Sequence, residues 1–300
     1  MTEGWMLGSF AVENGERVLH EIRPVPASEY DAVQQAVARL KQFSGHTLIG
    51  ALVNARNDLI PYLQPTGSLR SQLTSAEFQA KLGAKLGHWL TTFTTFRRQL
   101  ETLIESNRGV LLTEVHNNFA RSHRDHAEFR LTWEMRNFEQ HFPPVTRLIR
   151  FASEEGRVAA FVDLSRMFAE ALAGNARHRS QWLACQALWA GHTDAELAVV
   201  VHSAYLVCET INAAAVRDVE PRLMADITTL AKLFGEVADH QGAPCIVRRS
   251  PTGVQGRWEW NVLQIDLLVI GEAMVAMNGA RKVLGEPEIE VQAGEGIESN

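Results

Sequence analysis

From Ser28 to about Gln241 apolar residues recur at spacings of three and four, with few prolines to interrupt them. That periodicity commits most of the chain to helices. It predicts helices over about 29–44, 46–60, 75–106, 109–142, 158–173, 177–190, 194–216 and 220–240. Thr193-Asp-Ala-Glu196 reads as a capping box, whose hydroxyl and carboxylate satisfy orphan N–H groups at a helix start. Gly174-Asn175 and Gly191 suit left-handed C-terminal caps. Pro143-Pro144 stops the helix before it, because Pro144 bars Pro143 from helical geometry. The two longest helices would each run about 45–50 Å. Their short Ser106-Asn-Arg-Gly109 connection makes them an antiparallel hairpin. Gly83 and Gly87, one turn apart, leave room for a close neighbour.

Strand signals bracket this region. Trp5 to Val12 and Arg17 to Ile22 flank Asn14-Gly15, the dipeptide that favours a two-residue hairpin loop. After Gly242, Cys245-Ile-Val-Arg-Arg, a Ser-Pro-Thr-Gly turn and Arg257-Trp-Glu-Trp-Asn-Val read as a second hairpin, and the two could share one small sheet. A helix over about 263–283 follows. The expected fold is mainly α: an elongated helical bundle with small β-hairpins near both ends. The expected divisions are 1–26 (hairpin), 27–242 (bundle), 243–284 (hairpin plus helix packed on the bundle) and 285–300 (disordered acidic tail).

With 300 residues, 46% of them hydrophobic, the chain can bury a core without metal or disulfide. Cys185, Cys208 and Cys245 are widely spaced and form no CxxC pair, as expected of buried thiols in a reducing compartment. No basic region precedes an apolar stretch at the N-terminus. The best membrane candidate, Val262 to Met277, is too short to span a bilayer and carries Asp266 and Glu272. A soluble cytoplasmic protein with no membrane partner is expected. The net charge of −6 argues against a general nucleic-acid binder. Five glutamates and no Lys or Arg lie in Gly285 to Asn300, however, so the rest of the chain carries −1. The basic residues are 24 Arg against 5 Lys; Arg is the better fork for phosphate, but a high-GC genome gives the same bias.

The helix predicted over 109–142 holds the densest cluster of functional side chains. At 100° per residue, His116, His123, Arg130, Glu134, Asn137 and His141 share a stripe about 60° wide. Leu131, Met135, Phe138 and Phe142 form an apolar stripe, and Phe119, Phe129 and Trp133 border the polar one. A solvated face carrying ion pairs such as Arg130 with Glu134 would give the same pattern.

Arg followed by four to six residues and His occurs three times, at Arg39–His46, Arg121–His126 and Arg136–His141. Chance predicts about 2.6 such matches. Only the last carries Asn after the Arg and lies near the end of the long amphipathic helix, as Arg136-Asn137-Phe138-Glu139-Gln140-His141. That string resembles the HEPN superfamily, helical bundles marked by this Arg…His signature, and in particular a bacterial variant reading Arg-Asn-aromatic-x-Gln-His. The likeness stretches weakly over residues 30–216, through Phe161-Val-Asp163-Leu-Ser, Trp182 and the helix from Asp194. Glu139 inside the string and the acidity of the chain depart from it.

The resemblance implies a metal-independent endoribonuclease needing no cofactor, in which the RNA 2′-hydroxyl attacks the adjacent phosphorus. Arg136 would hold the phosphate, His141 move protons and Asn137 orient one of them. Arg130, His123 and Glu134 would contact substrate. Residues five apart on a straight helix sit about 140° apart, so either a helix distorted before Pro143 or a homodimer with facing motifs is required. The implied partners are a second copy of the chain, RNA and an antitoxin-like protein.

Two other classes compete. His123 and His126 could share a zinc, but His116 is two turns away and no HExxH or CxxC supports it. No GxSxG, GxGxxG or Walker loop occurs, and Cys208 sits among apolar residues, so nucleophilic and nucleotide-loop chemistry lack a foothold. The alternative is a non-catalytic helical protein that binds a protein partner or a nucleotide. Trp182 and Trp189 read as core anchors rather than a ligand platform.

Overall fold

A computed structural model describes residues 4–43, 49–106, 111–142, 144–154, 156–174, 178–240, 242–251 and 258–289. The chain is mainly helical with small antiparallel sheets, and it divides into two units: Met1–Gly45 with Val216–Asn300, and His46–Ala215.

The first unit is built on the two hairpins. β1 (Trp5–Glu13) and β2 (Glu16–Val25) turn at Asn14 (φ +51°) and Gly15 (φ +85°), the left-handed pair that this dipeptide tolerates. β6 (Ala243–Pro251) pairs with β7 (Trp258–Gln264), and β1 lies antiparallel to β6 with Gly8 opposite Cys245. The strand order is β2-β1-β6-β7, so the hairpins do form one sheet. The tip of the second hairpin, 252–257, lies outside the described residues. α1 (Ala27–Phe43) packs on α10 (Leu267–Leu284). Asp266 caps α10 by accepting from the Leu268 N–H at 2.9 Å. Arg39–Asp226 and Arg281–Glu220 hold these helices to α9 (Leu197–Val237), their carboxylates nearly buried.

The sequence reading groups 27–242 as one bundle; instead α1 and the end of α9 belong with the hairpins. The 285–300 tail begins in ordered contacts. Gly285 is the left-handed cap of α10, Glu286 pairs with Arg217 at 2.7 Å, and Asn278 accepts from the Ile289 N–H at 2.7 Å. Residues 290–300 lie outside the described residues.

The second unit carries the aromatic core. α2 (Ile49–Leu63) and α4 (Ala76–Ser106), with the four-residue α3 (Gly67–Arg70) between them, bury Leu52, Leu59, Phe78, Trp89, Phe93 and Phe96. Where one helix is expected over 109–142, the structure has α5 (Leu111–Asp125) and α6 (Ala127–His141). His126 breaks them at φ −108°, ψ 109°. Both pack on α4, as expected of the hairpin, while the connection at 107–110 and Pro143 lie outside the described residues. A 3-10 turn, Val145–Leu148, follows. A Cβ on Gly83 would stand 3.6 Å from Thr146 and one on Gly87 3.8 Å from Glu139. Those are ordinary contacts, so neither glycine is required by a close approach.

The helix expected over 158–173 is strand in its first six residues. β3 (Ile149–Glu154) and β4 (Arg157–Asp163) form a hairpin, and α7 (Leu164–Gly174) starts only after Asp163 accepts from the Arg166 N–H at 2.8 Å. Val158–Ala160 are all buried, which removes the alternation that would mark a strand. α8 (Arg179–Leu188) buries Trp182, whereas Trp189 is half-buried with its indole N–H on the Ala127 carbonyl.

The capping box is not one. Asp194–Glu196 form β5 on the edge of β4, and Glu196 takes both Arg157 (2.7 Å) and Gln64 (3.0 Å). The two helices expected over 194–216 and 220–240 are one, α9, running through Pro221. Among the described residues α9 is the one helix long and apolar enough to cross a membrane, by length and composition; half of its most apolar window is buried inside the protein.

Candidate functional site

α6 places the string foreseen from sequence. Its buried side presents Phe129, Leu131, Met135 and Phe138 to the aromatic core. The polar stripe on the same helix divides among three surroundings. The break at His126 turns α5 away from the common helical phase, so the six-residue stripe is not continuous. The His116 side chain lies outside the described residues.

Arg130 and Glu134 are inside the protein, 7% and 0% exposed, so the solvated-face reading does not hold. Arg130 donates to the carbonyls of His123 (3.3 Å) and Gln181 (3.0 Å), leaving its buried Nε without a partner among the described residues. Glu134 Oε2 accepts from Asn137 Nδ2 at 3.0 Å, and Oε1 has no hydrogen bond among the described residues but stands 3.7 Å from His123 Nε2. Both charges act on Cys185, whose thiol is pushed up to about 12, first by burial and then by Glu134, with Arg130 opposing.

Arg136 and Asn137 open instead into a cleft of about 470 Å3 between α4 and α6. Gln140, Arg97, Arg98 and Trp133 join them, with Thr91, Thr94 and Thr95 opposite and Glu101 as the one carboxylate lining it. Arg97 is already engaged: it donates to Glu101 at 2.7 Å and lies over the rings of Phe119 and Trp133 at 5.5 and 5.4 Å. With its amide oxygen turned toward Arg136, Gln140 accepts from both Nη1 and Nη2 at 3.2 Å. The Arg136 Nε is buried with no partner among the described residues. The arrangement is a cationic fork in a polar cleft beside an indole, suited to an anion of phosphate geometry.

His141 does not line that cleft. It is exposed at the last turn of α6, its ring 6.2 Å from that of His178. α6 is regular to its end, so no distortion before Pro143 swings His141 round to Arg136. The pair that does share a cavity is Arg121 and His126, because His126 is the non-helical residue between α5 and α6. Sequence reasoning missed that meeting, for nothing in Ser122-His-Arg-Asp-His126 resembles a helix breaker. It also missed Arg97, Arg98 and the threonines, whose only signal is their recurrence along one face of α4.

Among the described residues no group of three or more His, Cys, Asp or Glu could hold a metal. All three cysteines are buried and free, and burial raises each thiol, Cys245 to about 11.

Glu139, the departure inside the string, is half-buried. Burial raises its carboxyl above the usual range, against the Val145 N–H and the Arg136 charge. A raised folded-state pKa means that ionisation opposes folding: the group's penalty is absent below its ordinary range and complete once pH exceeds the raised value. Glu139→Gln is therefore expected to stabilise the protein at pH 7 and to change little at pH 4. Chemical unfolding midpoints at the two values check this.

No protein-family model matches the chain, and no curated protein and no solved structure matches it.

Proposed function

We propose that the α4–α6 cleft binds a phosphodiester, and that its ligand is single-stranded RNA. The observation that carries this reading is the buried, unpartnered Nε of Arg136 beside Asn137, Gln140, Arg98 and three threonines in one cleft. A guanidinium supplies paired donors to phosphate oxygens, and hydroxyls and amides complete the shell. The resemblance of Arg136–His141 to the HEPN signature supports RNA as the phosphate's source. The exposed acidic residues keep affinity modest and strongly salt-dependent.

Within one chain this is a binding site. Cleavage of the HEPN kind needs an imidazole near the same phosphate, and His141 stands with His178 instead. A homodimer in which each chain lends His141 to its partner's cleft is the arrangement under which the protein cuts RNA, and it keeps Arg136, Asn137 and His141 in the roles the resemblance implies. Arg130, His123 and Glu134 then act behind Asn137 rather than on substrate.

Fluorescence anisotropy with a labelled single-stranded RNA tests the reading. Arg136→Ala is expected to weaken binding about tenfold or more, the loss of one charge-assisted bidentate contact. Equal affinity of the native and Arg136→Ala proteins overturns it. Incubation with EDTA separates the two modes: cleavage abolished by His141→Ala, leaving 2′,3′-cyclic phosphate ends, marks the dimeric nuclease, and binding without cleavage marks the non-catalytic protein.

A further inference from the structure

A second cavity, of about 540 Å3, opens where α5 breaks into α6 and faces α9. Its two walls differ in chemistry. α9 contributes Leu206, Val207 and Ile211; Ile211 is 4% exposed, while Leu206 is 43% exposed, so an apolar floor is wetted at its rim. The opposite wall brings Arg121, Ser122 and His126 together. On an unbroken helix Arg121 and His126 would point about 140° apart. The extended dihedrals of His126 remove that separation and start α6 at the cavity wall.

Three features of the polar wall lack hydrogen-bond partners among the described residues, although the Arg121 charge acts on Asp125. Arg121 makes no hydrogen bond or ion pair with the described residues, whereas its neighbour Arg124 is held by Asp125 at 2.8 Å. Ser122 is more than nine-tenths buried and its hydroxyl has no hydrogen bond among the described residues. The His126 side chain does not cap α6, so the first-turn N–H groups lack a side-chain acceptor at a helix end that favours negative charge. Glu128, on the same wall, confines an anionic group to the Arg121 side. The size and the mostly apolar lining with a few convergent polar groups are those of a small-molecule site.

We propose that this cavity binds a small amphipathic organic anion, an aryl or short acyl carboxylate or sulfonate. Its charged end meets Arg121 and the start of α6, and its apolar body lies on Leu206, Val207 and Ile211. The site is independent of the α4–α6 cleft and of RNA.

Anilinonaphthalene sulfonate, an aromatic anion whose emission rises on an apolar surface, is the probe. Titrated into the full chain, it is expected to bind saturably at one site and to be displaced by octanoate. Arg121→Gln is expected to weaken it about tenfold, and Ala214→Trp, at a lining residue on α9, to fill the cavity and remove saturable binding. Arg136→Ala should leave the titration unchanged, which separates this site from the RNA cleft. Leu206→Glu, at a rim position that folding does not bury, gives the same loss should Ala214→Trp fail to fold. Unchanged affinity in Arg121→Gln, or saturable binding that survives filling of the cavity, overturns the proposal.

Discussion

Gly242→Ala is expected to cost the first unit about 4 kcal/mol, among the largest losses any single methyl could cause here. Gly242 adopts φ +125°, where a side chain is strained, and a Cβ there would stand 2.0 Å from the Phe10 carbonyl oxygen and 2.5 Å from its carbon. Backbone on both sides cannot yield without parting β1 from β6. Gly15→Ala is the control: φ is +85° but nothing lies within 4 Å of the new methyl, so only the conformational cost of about 1–2 kcal/mol applies. Hydrogen exchange of the β1 and β6 amides measures both. Similar protection in the two variants would show that the clash relaxes at no cost.

The second large effect is at the buried charges of α6. Arg130→Met removes one of two buried, opposite charges that act on Cys185, leaving Glu134, which is 0% exposed, and should destabilise the protein by about 3–5 kcal/mol. Adding Glu134→Leu should restore most of that loss, because both buried charges are then replaced by apolar volume and neither is left alone. Asn137 loses one acceptor but faces the cleft, where water replaces it. Unfolding midpoints of the two single variants and the double variant decide the matter. Additive losses would mean that the two charges do not compensate each other.

Elements were legible where the backbone demands particular residues. Asn14-Gly15 announces its turn because few other dipeptides tolerate left-handed geometry twice. The amphipathic run of α4 announces a helix by periodicity alone. The misses share a cause: tertiary partners outbid a local signal. Glu196 in Thr193-Asp-Ala-Glu196 has every feature of a capping glutamate, yet Arg157 and Gln64 claim it from distant strand and loop. One helix is expected to end at 216 and the next to begin at 220, beside Pro221, but burial of Val219 and Leu223 and the pairing of Glu220 with Arg281 carry α9 through the gap. Of the site, the position of Arg136 and Asn137 on an amphipathic helix was readable. The separation of Arg136 from His141 followed from helical geometry, but the threonines and arginines of α4 that face the site are a matter of packing, which one helix cannot report about another.

The β1–β6 pairing also sets a clock. Gly8 and Cys245 are neighbours in the sheet yet 237 residues apart in the chain. A ribosome adding about 5–20 residues per second makes the first strand wait about 12–47 s for its partner. His46–Ala215 is contiguous and is complete before β6 exists. Through that interval β1 offers one unpaired edge, the feature most prone to wrong pairing with a neighbouring nascent chain. The strand synthesised first is among the last to find its place, and slowing translation between Ala215 and Ala243 lengthens the time over which that edge must be guarded.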